Sequence, residues 1–138
     1  MENKDYTVEI LEIIRSNTSP GIMRNRLEDY HANDLAEVFP QLKVSERRKI
    51  CRILDLDMLS DIFEHIDEQE AAEYLDEMDI KKAAAILSAM ETDAVVDVLQ
   101  MIPKEKKNLL IELMDDDARK DMAIIASFDE EELSLIHI

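Results

Sequence analysis

The sequence is poor in residues that interrupt helices, since its 138 residues include one Gly and three Pro. It has no Trp, and no stretch alternates strictly between apolar and polar residues as a half-buried strand would. With its single glycine at Gly21, the chain has neither the GxxxxGK[ST] loop nor the GxGxxG turn that bind nucleotide phosphates. These absences favour an all-α protein and exclude nucleotide-dependent chemistry.

Residues typical of catalytic and zinc sites are also scarce. The only cysteine is Cys51, so an internal disulfide is excluded, and its apolar neighbours predict a buried thiol. The histidines His31, His65 and His137 lack an HExxH or CxxC pattern, and His65 is predicted to lie at a helix end. No serine has a recognisable catalytic partner. We therefore predict that the protein is not an enzyme.

Positive charge is in short supply. Sixteen Lys and Arg face 33 Asp and Glu, which gives a net charge of −17 and a pI near 4.4. This charge repels nucleic acids and anionic membrane surfaces, and it favours divalent cations or basic proteins as partners. The chain has neither a signal peptide nor an apolar run of about 18 residues. We predict a cytoplasmic protein with no segment inserted in the membrane.

What the sequence has in abundance is a repeat. Residues 31–126 form eight rows of twelve without a gap, from HANDLAEVFPQL to DDDARKDMAIIA. Columns eight, nine and twelve of these rows are apolar almost throughout, and column five is often apolar, which is the stripe of an amphipathic helix. Each row therefore predicts one helix of two or three turns and a tight connection. Column eight contains Val38, Ile50, Ile62, Tyr74, Ile86, Val98, Leu110 and Met122.

Helices this short are marginal alone, so neighbouring helices must stabilise them. We predict an all-α fold, a right-handed, solenoid-like superhelix of about ten short helices. Residues 1–30 are expected to form a helix pair within the same domain as 31–126, and residues 127–138 a tail or boundary. Pro40 should end or kink the first row's helix. Predicted N-caps are Ser45, Asp67 and Thr92, with Pro103 at a first helical position.

Columns three and seven lie opposite the apolar stripe and carry carboxylates one helical turn apart. One interpretation is a solvated acidic surface, although like charges at this spacing destabilise a helix by roughly 0.2–0.5 kcal/mol per pair. The other is a weak site for Mg²⁺ or Ca²⁺, because Mg²⁺ binds one or two carboxylates and keeps several waters. The pairs are Asp57 with Asp61, Asp93 with Asp97, and Asp117 with Asp121.

Three segments, LEDYHANDLAEVF at 27–39, HIDEQEAAEYLDEM at 65–78 and METDAVVDVLQMI at 90–102, resemble the N-terminal cytosolic domain of the MgtE magnesium transporters and channels. The resemblance covers residues 5–128, although Ala32 stands where the family usually has Pro. It implies a helical superhelix that precedes a pair of CBS domains, a plug helix and a transmembrane pore, in a homodimer. The tail at 127–138 would then lead toward a CBS domain that this chain lacks.

The resemblance also implies a function. Mg²⁺ held between this domain, the CBS domains and the plug helix would favour the closed pore, and matching the motifs places metal-contacting positions at Asp61, Asp93 and Asp97. Asp57 is a fourth predicted metal ligand, because it lies one helical turn before Asp61. We predict a Mg²⁺-sensing regulatory domain that cannot itself transport ions.

A second hypothesis is a protein-interaction scaffold, since such helical repeats also resemble the middle domain of flagellar switch proteins. In that case the carboxylates only keep the protein soluble. A Mg²⁺ titration at constant ionic strength separates the two, because specific sites shift a few backbone amides whereas screening moves many slightly.

Overall fold

The computed structural model describes residues 6–122, and every regular element within them is helical. This confirms the predicted all-α class. Nine α-helices have defined bounds in these residues, and residues 116–122 add a further helical stretch. The helices are α1 (Thr7–Ile14), α2 (Pro20–Leu27), α3 (Ala32–Val38), α4 (Val44–Ile53), α5 (Leu56–Glu64), α6 (Glu68–Asp76), α7 (Ile80–Ala89), α8 (Thr92–Leu99) and α9 (Lys104–Leu113).

The helices from α3 onward begin twelve residues apart, and the stretch at 116 continues the series. The residue in column one is therefore the N-cap of each helix from α3 to α9, with an extended backbone whose ψ lies between 137° and 171°. The side chains of Asp55, Asp67 and Asp79 accept hydrogen bonds from first-turn N–H groups, which an N-cap must satisfy. One short helix and one connection per row are confirmed for the seven rows from residue 31 to residue 114.

Two predicted N-caps are wrong by one or two residues. Ser45 and Thr92 lie inside their helices, and Lys43 and Glu91 hold the N-cap positions. At Lys43 the missing side-chain cap is compensated in part by Glu46, whose carboxylate accepts the Lys43 backbone N–H at 2.9 Å. The preference of Ser and Thr for N-caps is thus overridden by the apolar columns, which fix where each helix begins.

Each of the three prolines lies at or next to the end of a helix. Pro103 is the N-cap of α9 rather than its first helical residue, which corrects that prediction by one position. Pro20 occupies the first position of α2, where Ser19 accepts the Ile22 N–H at 3.4 Å. Near Pro40, α3 ends and a single 3-10 turn follows over Phe39–Gln41, because proline cannot continue the α-helical hydrogen bonding.

Contacts divide the chain into two compact units, Met1–Ile66 and Asp67–Ile138. In the first unit α1 packs against α3 and α3 against α5, while α2 packs against α1 and α4. Each helix of the repeat therefore lies beside the next helix but one. The rings of Phe39 and Phe63 meet edge to face with centroids 5.8 Å apart, which fixes the contact between the ends of α3 and α5.

The second unit repeats this arrangement. Helix α7 packs against α9, α6 packs against α8, and α6 also contacts α7. The chain leaves α9 through Met114, which is buried, and the helical stretch over 116–122 follows. The same alternation of helices thus builds the core of each unit.

Burial follows the columns that the sequence singled out. All eight residues of column eight, from Val38 to Met122, are buried, which confirms that column as the centre of the core. Cys51 is a buried free thiol, as predicted. In column twelve, Met90 and Met114 are buried and Met78 is half-buried. The apolar stripe therefore marks the packed face of each helix.

The right-handed superhelical path and the grouping of residues 1–30 with 31–126 stay predictions. The predicted tail at 127–138 lies outside the described residues.

Candidate metal-binding surface

Asp57 and Asp61 lie one turn apart on α5, and both side chains are exposed as the column positions predicted. The backbone carbonyl of Asp57 accepts a hydrogen bond from Ser60 Oγ at 3.0 Å. The carbonyl of Asp61 accepts one from His65 Nδ1 at 2.8 Å. His65 is the C-cap of α5, which confirms its predicted place at a helix end, and the contact uses one of its two ring nitrogens. Both carboxylates still face solvent.

Asp93 and Asp97 occupy the equivalent positions on α8 and are also exposed. A third pair, Asp117 and Asp121, is exposed on the helical stretch over 116–122. None of the four predicted ligands forms a side-chain ion pair within residues 6–122. The structure therefore keeps these carboxylates available for a ligand from outside the fold.

The two members of each pair differ in their effect on the helix. Asp57 and Asp93 are the second residues of their helices, where a carboxylate is stabilised by the positive end of the helix dipole. Asp61 and Asp97 lie in the last turn, where the same dipole is unfavourable to negative charge. The helix dipole therefore accounts for a carboxylate at Asp57 and Asp93. It does not account for one at Asp61 or Asp97.

The donor set fits Mg²⁺ only in part. Two carboxylates one helical turn apart supply hard oxygen ligands, and Mg²⁺ completes its shell with waters or with further oxygens. Within the described ranges, no group of three or more acidic, His or Cys side chains could hold a metal ion. Asp57 and Asp61 share the outward face of α5, and Asp93 and Asp97 share that of α8. No third ligand from the described residues lies beside either pair. Tight binding would require oxygens from another surface.

One carboxylate near Asp61 was missed by the sequence analysis. Glu28 and Asp61 line the same groove of about 210 Å³, together with Tyr30 and Met58. Glu28 and Asp61 are far apart in sequence, and they share no repeat column. No pattern in the sequence could have paired them, because the pairing depends on how the end of α2 packs near α5.

Two other carboxylates of the first unit, Glu46 and Glu9, accept hydrogen bonds from side chains of the same unit. Arg15 donates hydrogen bonds to both carboxylate oxygens of Glu46, at 2.9 and 3.1 Å, and this lowers the pKa of Glu46 to about 2. The hydroxyl of Tyr30 donates to Glu9 Oε1 at 2.7 Å, which raises the pKa of Tyr30 to about 12. These groups stabilise the fold, whereas the predicted ligands on α5 and α8 stay unpaired.

These features define a class of protein, an acidic all-α domain built from a repeat of short helices. None of the helices within residues 6–122 is both long and apolar enough to cross a bilayer. The chain belongs to the family of the MgtE intracellular N domain, whose model matches residues 30–131. The family's intracellular location agrees with the cytoplasmic location that the sequence predicted.

Among known proteins, the chain is 27% identical over 135 residues to the magnesium transporter MgtE of Thermus thermophilus. That match covers 96% of this chain and 30% of the transporter, so the chain spans less than a third of that relative. It is also similar in structure to the soluble part of a magnesium transporter, with a TM-score of 0.76 and 26% identity over 84% of this chain and 46% of the other.

A second structure, the cytosolic domain of the Mg²⁺ channel MgtE in complex with ATP, gives a TM-score of 0.72. It is 25% identical, and the match covers 84% of this chain and 48% of that one. Both solved relatives are soluble parts of magnesium transport proteins. The family resemblance that the sequence predicted is thus confirmed.

Proposed function

We propose that this chain is the regulatory domain of a magnesium transporter, and that it senses intracellular Mg²⁺ through the carboxylates of Asp61, Asp93 and Asp97, with Asp57 beside them. The observation that carries the proposal is Asp97. It is exposed and unpaired in the last turn of α8, four residues after Asp93, where the helix gains nothing from it. A metal bridge would account for a carboxylate that the fold does not need.

The mechanism follows from charge. With a net charge of −17, the chain is repelled by any acidic partner surface when its carboxylates are free. Mg²⁺ supplies positive charge and open coordination positions between two sets of oxygens. The carboxylates of α8 would then bind on one side and those of a partner on the other. A coupling free energy of about 1–3 kcal/mol is enough to shift a two-state gate.

The proposed partners are the CBS domains and the plug helix of the same full-length transporter, which would act as a homodimer. Association at high Mg²⁺ would favour the closed pore, and loss of Mg²⁺ would release the domain. In this role the chain is a gate element without catalytic activity. The incomplete ligand sets support a shared site, since two carboxylates leave most of the coordination shell of Mg²⁺ to waters or to oxygens from another surface.

The test is a paired substitution in the full-length transporter. Asp93→Ala with Asp97→Ala should weaken the inhibition of ion flux by Mg²⁺ and move it to higher concentration. Asp117→Ala with Asp121→Ala is the matched control, because it removes an exposed pair of the same spacing that the family resemblance does not implicate. Unchanged inhibition in the first variant, or an equal shift in both, would contradict the assignment.

The scaffold hypothesis predicts a different result for the isolated chain. If the carboxylates only confer solubility, Mg²⁺ at constant ionic strength moves many backbone amide resonances slightly. If they form sites, the amides near Asp61, Asp93 and Asp97 move most. The exposure of all three, without ion pairs among residues 6–122, favours the second outcome.

A further inference from the structure

A groove of about 240 Å³ lies in the second unit, between α6 and the segment that runs from the end of α8 into α9. Ala72 and Leu110, both buried, contribute apolar surface, and Met101 lines the groove with 45% of its surface exposed. No predicted metal ligand lies in it. The groove is thus separate from the carboxylates assigned to Mg²⁺.

Two exposed leucines on α9 extend this apolar surface. Leu109 and Leu113 lie one turn apart and are 52% and 45% exposed. Leu113 follows the groove residue Leu110 by three positions, so the two lie on neighbouring parts of the helix surface. Leu109 stands in column seven, where α5 and α8 carry Asp61 and Asp97. At column seven, α9 is therefore apolar where α5 and α8 are acidic.

Acidic side chains frame this surface. Glu73 and Asp76 of α6 line one side of the groove. Glu105 and Glu112 of α9 are exposed, and they lie four residues before and three residues after Leu109, which places them along its other side. The one cation lining the groove within the described residues is Lys106, and it forms an ion pair with Asp76. The surface is an apolar strip with a negative border.

The charge of the unit selects among possible partners. Residues 67–138 contain seven Lys and Arg against 20 Asp and Glu, a net charge of −13. A second copy of the chain would bring a further −17 to the contact. Nucleic acids and anionic lipids are disfavoured for the same reason. A cationic partner with its own apolar stripe complements both the strip and its border.

We propose that the groove between α6 and α9, with Leu109 and Leu113, docks a basic amphipathic helix. Apolar side chains at spacings of i, i+3, i+4 and i+7 match a groove beside a helix face, as in other helix-in-groove complexes. Lys or Arg on either side of that stripe would meet Glu73 and Glu105. The docking site is independent of the proposed Mg²⁺ function, because it shares none of the predicted metal ligands.

A designed peptide tests the proposal with the full 138-residue chain. The probe is a fluorescein-labelled peptide of about 18 residues, with Leu at helical spacing on one face and Lys on the other. A second peptide keeps the Leu positions and replaces each Lys by Glu. Fluorescence anisotropy gives each affinity, and we expect binding of the Lys peptide only.

Variants then locate the contact. Leu109→Gln with Leu113→Gln should weaken Lys-peptide binding about tenfold or more, because exposed apolar anchors contribute strongly to such interfaces. Val8→Gln with Ile22→Gln is the matched control, since it removes two exposed apolar side chains from the first unit. Circular dichroism confirms that each variant stays helical, as substitutions at exposed positions should.

A second pair separates specific charge contacts from general attraction. Glu73→Gln with Glu105→Gln should weaken binding several-fold more than Asp34→Asn with Glu37→Gln, which removes the same charge from α3. The proposal is overturned if the Lys peptide does not bind. It is equally overturned if the variants and their controls lose affinity alike, because the peptide would then respond only to the net charge.

Discussion

Glu46 stabilises the first unit through two contacts of its side chain. It pairs with Arg15 across 31 residues, and it accepts the backbone N–H of Lys43 at the start of α4. Its pKa falls from 4.5 to about 2 as a result, chiefly because of the hydrogen bond from Arg15. A lowered pKa in the folded state means that the stabilisation is complete above pH 4.5 and is lost as the pH falls toward 2.

Glu46→Gln should therefore lower the free energy of unfolding by about 1 kcal/mol at neutral pH. The difference from the wild type should shrink as the pH is lowered from 4.5 toward 2, which urea unfolding at a series of pH values measures. Glu70→Gln is the control, because Glu70 holds the same third position in α6. If Glu70→Gln lowered the free energy of unfolding equally, the hydrogen bonds from Arg15 would not be the source of the stabilisation by Glu46.

Tyr30 gives a prediction at the opposite end of the pH scale. Its hydroxyl donates to Glu9, and this raises the pKa of Tyr30 from 10 to about 12. A raised pKa means that the contribution to stability is complete below pH 10 and is lost as the pH rises through 12. Tyr30→Phe should cost about 1 kcal/mol at pH 8, and the cost should vanish at the higher pH.

Ultraviolet titration of phenolate absorbance tests the cause directly. Glu9→Gln keeps an oxygen acceptor but removes the negative charge, so the pKa of Tyr30 should move back toward 10. If Tyr30 in the Glu9→Gln variant still ionises near pH 12, the charge of Glu9 is not the cause.

Among the helices, the N-cap at column one is the feature that recurs. Asp79 accepts the backbone N–H groups of Lys81 and Lys82, at 3.0 and 3.4 Å. Asp79→Ala should reduce the free energy of unfolding by about 1 kcal/mol. His31→Ala serves as the control, because His31 is the N-cap of α3 without a side-chain cap bond. Chemical denaturation should show a change of only a few tenths of a kcal/mol for it.

The apolar columns give a second prediction for the helices. Ile86 is fully buried in α7, so Ile86→Ala should destabilise the protein by about 2–5 kcal/mol through lost burial and a cavity. Leu109 lies on the outward face of α9, and Leu109→Ala should change stability by less than about 0.5 kcal/mol. Thermal unfolding of both variants measures the contrast. Similar losses would mean that α9 is packed on both faces.

For the whole molecule, the uneven charge predicts an uneven response to salt. Residues 1–66 have nine Lys and Arg against 13 Asp and Glu, a net charge of −4, compared with −13 for residues 67–138. Raising the ionic strength from about 0.01 to 0.1 M shortens the screening length from about 30 to 10 Å. Self-repulsion should weaken more in the second unit than in the first.

Amide hydrogen exchange measures this unit by unit. Added NaCl should increase protection in α6–α9 more than in α1–α5. Equal gains in the two units would indicate that salt acts through general effects on burial rather than through charge.

The sequence by itself determined the helix period, the buried face and the outward carboxylates. These follow from local rules, because an apolar stripe at helical spacing must turn toward other helices whatever they are. That is why column eight is buried in every row, and why Asp57, Asp61, Asp93 and Asp97 are exposed as predicted. The same rules misplaced the N-caps at Ser45 and Thr92, since packing outweighs the preference of a single residue.

Only the tertiary structure decided which distant residues meet. Glu28 joins Asp61 in one groove, Arg15 reaches Glu46, and Met101 is brought beside Ala72. These contacts depend on the angle and spacing at which helices pack, which no column of the repeat encodes. The repeat therefore specifies which side chains of each helix are buried and which are exposed. The packing of one helix on another specifies which exposed side chains lie close enough to form a common site.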